Sequence, residues 1–335
     1  MAKIGVLGAG TWGMALTRML SNEGHDVIVW SALPQEIDIY QETRRQPNLP
    51  GMVIPDAVRF TKDIGEACSG KDILLFAVPS VFVRSTAKAA APYIPEGQII
   101  VDVAKGIEPK TLMTMTQIIE DEMTVPVRLV ALSGPTHAEE VAKDLPTTIV
   151  AASKDMEAAE YVQHAFMNDV MRVYTNEDVL GVELCGAMKN IIALASGAAL
   201  GLGYGDNTKA ALITRGMHEI TMLGVAMGCD IRTFYGLAGI GDLIVTATSE
   251  HSRNNRCGHL IGEGMKPQDA VKQVGMVVEG INAIPAALEL QKKYGIDMPL
   301  VDAIDAVVNH DADPRETVRD LMTRAPRSEL DYRKS

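Results

Sequence analysis

Short apolar runs alternate with stretches of helical spacing along the first half of the 335-residue chain, and the alternation fades near residue 180. The runs fall at residues 4–7, 27–30, 73–78, 98–103 and 127–132, with 148–152 a further one. Helical patterns at residues 80–93 and 110–122 lie between them. Apolar strands separated by helices predict a mostly parallel sheet covered on both faces, the doubly wound α/β arrangement. Ligands of such sheets bind beyond the carboxyl ends of the strands, so the residues just after each run are the ones that can carry chemistry.

Beyond residue 180 helical patterns dominate, which divides the chain into an α/β domain at 1–180 and an all-helical domain at 181–335. From 184 to 200 the polar side chains are Lys189, Asn190 and Ser196 alone. A helix apolar all round is a buried one. Positions 185, 186, 192 and 193 are Cys, Gly, Ile and Ala, so Lys189 finds no carboxylate at helical spacing. It needs a tertiary partner or faces a cleft, as one half of a structural pair or as a functional amine. Residues 207–228 read as another helix that Thr214-Arg215-Gly216 interrupts, and residues 283–294 as a further one. The last segment, 325–335, is charged and poor in apolar residues, so a frayed tail is expected.

The first strand ends in Gly8-Ala9-Gly10-Thr11-Trp12-Gly13, the G-x-G-x-x-G spacing. Glycine clusters also occur in purely structural turns. Here the motif follows a strand, opens a helix and is closed into a βαβ unit by the run at 27–30, which points to dinucleotide binding. The helix N-terminus then faces a pyrophosphate with its partial positive charge. After Trp30 come Ser31 and Ala32, with no Asp or Glu in the place where a strictly NAD-dependent enzyme holds the ribose hydroxyls. Arg44 and Arg45 follow and could meet a ribose phosphate, although a solvated surface is the more usual place for both. This part of the chain leans towards dual or NADP use.

Further along, Ala104-Lys105-Gly106 sets a lysine near a strand end, positioned for an anion or merely for solvent. Ser133-Gly134-Pro135-Thr136-His137-Ala138-Glu139 offers Thr136 and Glu139 as a capping box for a helix, with His137 on that helix's surface. In the helical half, the glycines of Gly236-Leu237-Ala238-Gly239-Ile240-Gly241-Asp242 predict close backbone approach, and Asp242 is a candidate partner for Lys189. Ser252, Arg253 and Asn254 place a hydroxyl, a guanidinium and an amide side by side, a set suited to a phosphate monoester, or simply a helix cap with a surface arginine.

A net charge of −12 argues against nucleic acid or an anionic membrane surface as partner, so an anionic substrate needs a local cluster of positive groups. Cys68, Cys185, Cys229 and Cys257 show no metal or disulfide spacing and read as reduced, buried thiols. No signal peptide is visible, and no stretch is expected to reach the apolar length needed to cross a bilayer, which together predict a cytoplasmic protein without membrane insertion. No metal site is expected.

Taken together, GAGTWG at 8–13, AKG at 104–106, SGPTHA at 133–138, GVELCGAMKN at 181–190, NTKAALITRG at 207–216, GLAGIGDL at 236–243, SRN at 252–254 and VVEG at 277–280 resemble the bacterial, NAD(P)-dependent glycerol-3-phosphate dehydrogenases. The resemblance spans nearly the whole chain. It implies a Rossmann domain joined to an all-α domain of the 6-phosphogluconate dehydrogenase type. It also implies interconversion of sn-glycerol 3-phosphate and dihydroxyacetone phosphate with NAD(P)(H), supplying glycerol 3-phosphate for phospholipid synthesis. Lys189 then matches the proton donor and acceptor. Lys105, Gly134, Thr136, Lys189, Asp242, Ser252, Arg253 and Asn254 match substrate positions. Gly8, Gly10, Thr11, Trp12, Gly13, Lys105, Ala138, Arg253, Val277 and Glu279 match cofactor positions. A homodimer is the family expectation. The chain departs from the pattern at Ala247, where cysteine is common, and at Cys185, where a small residue is common. Two rival readings are a related dehydrogenase of hydroxy acids or sugar acids and a nicotinamide-sensing module without chemistry.

Overall fold

The computed structural model describes residues 1–326, 328 and 329. Of the tail expected to fray, residues 327 and 330–335 lie outside the described residues. The chain divides into two compact units, the first of residues 1–105 and 113–179, the second of 106–112 and 180 onward. A short excursion at 106–112, invisible in the hydrophobic pattern, thus belongs with the helical unit.

In the first unit, β1 (Lys3–Leu7), β2 (Asp26–Trp30), β3 (Arg59–Thr61), β4 (Ile73–Phe76), β5 (Ile99–Asp102), β6 (Arg128–Ser133), β7 (Thr147–Ala152) and β8 (Met171–Asn176) form one sheet. Their order is β3-β2-β1-β4-β5-β6-β7-β8. Every neighbouring pair is parallel except β6 and β7. The first six strands have the Rossmann order, which reverses direction between β1 and β4 and opens the ligand crevice there. Alternate residues feed two cores. Ile4, Val6, Ile73, Leu75 and Val101 pack on one face, and Leu7, Leu74, Phe76 and Ile100 on the other. Strands buried on both sides read as continuous apolar runs, which is why they were legible. β3 is three residues long, and β8 alternates buried and exposed residues, so neither stands out as such a run.

The second unit is helical and is built around the helix Val179–Gly201. With 23 residues and a mean hydropathy of 1.5 in its most apolar window, this helix is long and apolar enough to cross a membrane, correcting the expectation that no stretch reaches that length. It is nevertheless a core helix, since 89% of its most apolar window is buried within the protein. Its packing against the helix Arg253–Gly262 depends on absent side chains. A Cβ at Gly197 would lie 2.0 Å from the Asn255 carbonyl oxygen, and one at Gly258 would lie 2.0 Å from that of Leu194. Gly201 and Gly262 repeat the arrangement one turn on, so the two backbones meet at a distance only glycine allows. The helix Asp206–Ala226 takes in most of the stretch expected to be helical at 207–228 and runs unbroken through Thr214-Arg215-Gly216, since a single glycine costs a helix only about 1 kcal/mol. At Gly216 a Cβ would collide with the Ile192 side chain, at 2.6 Å, so that glycine serves packing.

Candidate active site

The dinucleotide loop forms where β1 meets the helix Thr11–Asn22. Gly8 has a φ of +123°, and a Cβ there would strike the backbone of Ala77 at 2.6 Å, pressing the loop onto the end of β4. A Cβ at Gly13 would lie 2.3 Å from the Gly8 carbonyl oxygen, so this glycine lets the helix close on the strand. At Gly10 an added Cβ would meet nothing within 4 Å. That open side, at a helix N-terminus without a side-chain cap, is where a pyrophosphate can take the unpaired backbone N–H groups. The residues present therefore fit a dinucleotide.

Tyr40, which sequence reasoning missed, anchors this loop from beneath. Its phenol donates to the Ala9 carbonyl at 2.9 Å and accepts from Gln46 Nε2 at 3.3 Å. The ring is 2% exposed, and the phenol is pushed up to about 12, first by burial and then by the charge of Glu36. Nothing in the apolar pattern marks a tyrosine as a loop anchor. Arg44 is committed elsewhere: it donates to the Val58 carbonyl at 2.7 Å and covers the Phe60 ring at 5.2 Å.

At the adjoining ends of β5 and β6, three of the predicted substrate residues come together. Lys105 Nζ and Thr136 Oγ1 both donate to the Gly134 carbonyl, each at 3.1 Å. The expected capping box is absent: the short helix Ala138–Val141 is preceded by His137 as its cap residue, and Thr136 turns back to Gly134 instead. Ala138 is buried at the first turn of that helix.

In the helical unit, Lys189 Nζ donates to Asp242 Oδ1 at 2.5 Å and to Thr246 Oγ1 at 2.5 Å. Lys189 is 4% exposed and Asp242 1%. Asp242 begins the helix Asp242–Thr248 directly after a widened turn, Leu237–Gly241, in which Gly239 leaves helical geometry at φ −90° and ψ −106°. A Cβ at Gly239 would lie 2.2 Å from the Phe234 carbonyl oxygen, the close approach that the glycines of this stretch predict. Thr246, four residues after Asp242, projects from the same helix face; the i,i+4 spacing is the signal that could have found it.

The segment 252–254 divides its labour. Ser252 caps the helix Arg253–Gly262 by accepting from Asn255 N at 3.2 Å. Asn254 Nδ2 donates to Asn190 Oδ1 at 2.9 Å, and Asn254 Oδ1 accepts from Gly280 N at 2.8 Å, joining this helix to the core helix and to the helix Glu279–Tyr294. Arg253 is half-buried and makes no ion pair or hydrogen bond among the described residues. Val277 precedes Glu279 at the entry to the helix Glu279–Tyr294. All four cysteines are buried and none forms a disulfide. Among the described residues no group of three or more His, Cys, Asp and Glu side chains could hold a metal ion.

A Rossmann sheet with a glycine loop, followed by a helical unit carrying a buried lysine–aspartate pair, defines a nicotinamide-dinucleotide-dependent oxidoreductase. The family model for the N-terminus of NAD-dependent glycerol-3-phosphate dehydrogenase matches residues 3–159, and that for its C-terminus matches residues 178–319. The chain is 68% identical to glycerol-3-phosphate dehydrogenase [NAD(P)+] 2 of Lactobacillus delbrueckii subsp. bulgaricus, over 98% of this chain and 99% of that one. It is 52% identical to glycerol-3-phosphate dehydrogenase [NAD(P)+] of Agathobacter rectalis, over 97% and 96%. The crystal structure of glycerol-3-phosphate dehydrogenase from Coxiella burnetii superposes with a TM-score of 0.93 at 34% identity, covering 96% of this chain and 99% of that one. The chain belongs to the NAD-dependent glycerol-3-phosphate dehydrogenase family.

Proposed function

We propose that Lys189 is the acid–base group of an NAD(P)-dependent glycerol-3-phosphate dehydrogenase that interconverts sn-glycerol 3-phosphate and dihydroxyacetone phosphate. The observation that carries this reading is the buried Lys189–Asp242–Thr246 cluster. An ammonium this far from water needs a compensating carboxylate, and a protein that only bound nicotinamide would have no use for either charge.

The cofactor, when bound, supplies or accepts the hydride. The chain's own residues do the rest. As the ketone is reduced, negative charge grows on its oxygen; the Lys189 ammonium stabilises that charge and gives up a proton from Nζ. Asp242 and Thr246 take two of the three directions in which an ammonium donates, fixing where the amine points. Arg253, whose guanidinium makes no ion pair or hydrogen bond among the described residues, is assigned to the substrate phosphate, where its fork of donors fits a phosphate edge. Lys105, Gly134, Thr136, Asp242, Ser252 and Asn254 complete the proposed substrate set, although the side chains of Ser252 and Asn254 act mainly through the backbone they hold. Gly8, Gly10, Thr11, Trp12, Gly13, Lys105, Ala138, Arg253, Val277 and Glu279 are the proposed cofactor set. A role in supplying glycerol 3-phosphate to phospholipid synthesis, a cytoplasmic location and a homodimeric assembly belong to the same proposal, the location supported by the four buried thiols.

Loss of absorbance of the reduced nicotinamide on adding dihydroxyacetone phosphate tests the reading. Rapid loss is expected. Binding of the dinucleotide without oxidation would favour a sensor, and reduction of a keto acid in place of dihydroxyacetone phosphate would favour the related dehydrogenases.

A further inference from the structure

The residues immediately after β2 set the ribose end of a dinucleotide site, and they carry no acid in the sequence: Trp30 is followed by Ser31 and Ala32. The fold supplies one from further along. Ser31 Oγ donates to Glu36 Oε2 at 2.5 Å and accepts from Leu33 N at 3.1 Å. Glu36 sits in the first turn of the helix Pro34–Thr43, whose start faces the carboxyl end of β2. Ser31 is buried, so the carboxylate is pinned at the strand end. Its other oxygen, Oε1, makes no hydrogen bond among the described residues.

The cations around it are spent or remote. Lys62, just beyond β3 and next to the β2 end, pairs with Asp38 at 2.6 Å. Arg44 is held by backbone carbonyls and by the Phe60 ring. Arg59 pairs with Asp26 at the opposite ends of their strands, at 3.0 Å. Arg45 lies past the far end of the helix Pro34–Thr43, roughly 14 Å along its axis from the first turn. Glu36 also stands close enough to Tyr40, the residue bonded to the glycine loop, to raise its phenol.

We infer that Glu36 makes this chain select the nicotinamide dinucleotide with a free ribose 2′-hydroxyl over the one bearing a 2′-phosphate. A carboxylate accepts a hydrogen bond from a hydroxyl and repels a phosphate dianion, and among the described residues the nearest cation, Lys62, is already shared with Asp38. This reverses the lean towards dual or NADP use drawn from Ser31 and Ala32. The inference rests on the dinucleotide-binding reading and sharpens it.

The test is isothermal titration of the purified full chain with NADH and with NADPH, for wild type, Glu36→Gln and Ser31→Ala, with melting temperatures alongside. A hydrogen bond to a charged group is equivalent to roughly 10- to 100-fold in affinity, so wild type should bind NADH at least about tenfold more tightly than NADPH. Glu36→Gln should narrow the ratio by weakening NADH and strengthening NADPH, and Ser31→Ala, which frees the carboxylate to swing, should narrow it less. Equal wild-type affinities, or a Glu36→Gln variant that keeps its fold and shifts both nucleotides alike, would overturn the inference while leaving the dehydrogenase reading intact. Failure of wild type to bind either nucleotide would overturn both.

Discussion

Lys189 Nζ and Asp242 Oδ1 stand 2.5 Å apart, each almost wholly buried, and they come from helices more than fifty residues apart in sequence. Two charges removed from water at this separation hold each other in place, and removing either leaves the other stranded. Asp242→Asn should therefore lower unfolding stability by about 3–5 kcal/mol and also depress kcat. Adding Lys189→Met to it should restore most of the stability without any activity. Urea unfolding of the single and double variants measures both, and additive losses in the double variant would show that the two groups are not coupled.

The Tyr40 phenol fixes the Ala9 carbonyl, and with it the direction of the loop's N–H groups. Tyr40→Phe removes one hydrogen bond of about 1 kcal/mol and should raise the KM for the reduced cofactor roughly fivefold, with kcat nearly unchanged. Steady-state kinetics checks the split; a loss confined to kcat would remove Tyr40 from the role of positioning the loop.

Glu219 is 3% exposed beneath the N-terminus of the helix Pro299–Asn309, where it accepts from Leu300 N at 2.9 and 3.2 Å. Burial pushes its carboxyl up to about 8, outweighing the N–H bonds from Leu300 and Val301. The folded state thus holds this proton more tightly than the unfolded chain, whose carboxyl titrates near 4.5. Its contribution is most favourable below that lower value and is lost as pH rises towards 8, at about 1.4 kcal/mol per pH unit inside the window. Glu219→Gln should flatten the fall. Chemical denaturation of both forms between the two limits checks it, and parallel profiles would contradict it.

The strands buried on both faces, the glycine loop and the lone lysine in an apolar helix were all legible because each violates or obeys a local pattern visible within a few residues. Asp242 was legible as a partner only because a buried lysine demands one. What the sequence hid are relationships set by the third dimension. Thr136 could have capped a helix as readily as it turns back to the Gly134 carbonyl, which Lys105 also reaches from another strand end. Ser31 and Ala32 put no acid directly after β2, yet Glu36, five residues on, hydrogen-bonds Ser31 across the strand-to-helix turn. Ser252 and Asn254 look like ligands in the sequence and are first of all a helix cap and a bracket between helices. Gly197, Gly201, Gly258 and Gly262 show their purpose only when the two helices are laid together.

The proposed reaction turns on the proton held at Lys189 Nζ. Lys189→Ala should lower kcat for dihydroxyacetone phosphate reduction by about 100-fold or more, while the affinity for the reduced cofactor, titrated directly, stays within about twofold of wild type. A folded Lys189→Ala enzyme that keeps most of its kcat would contradict it.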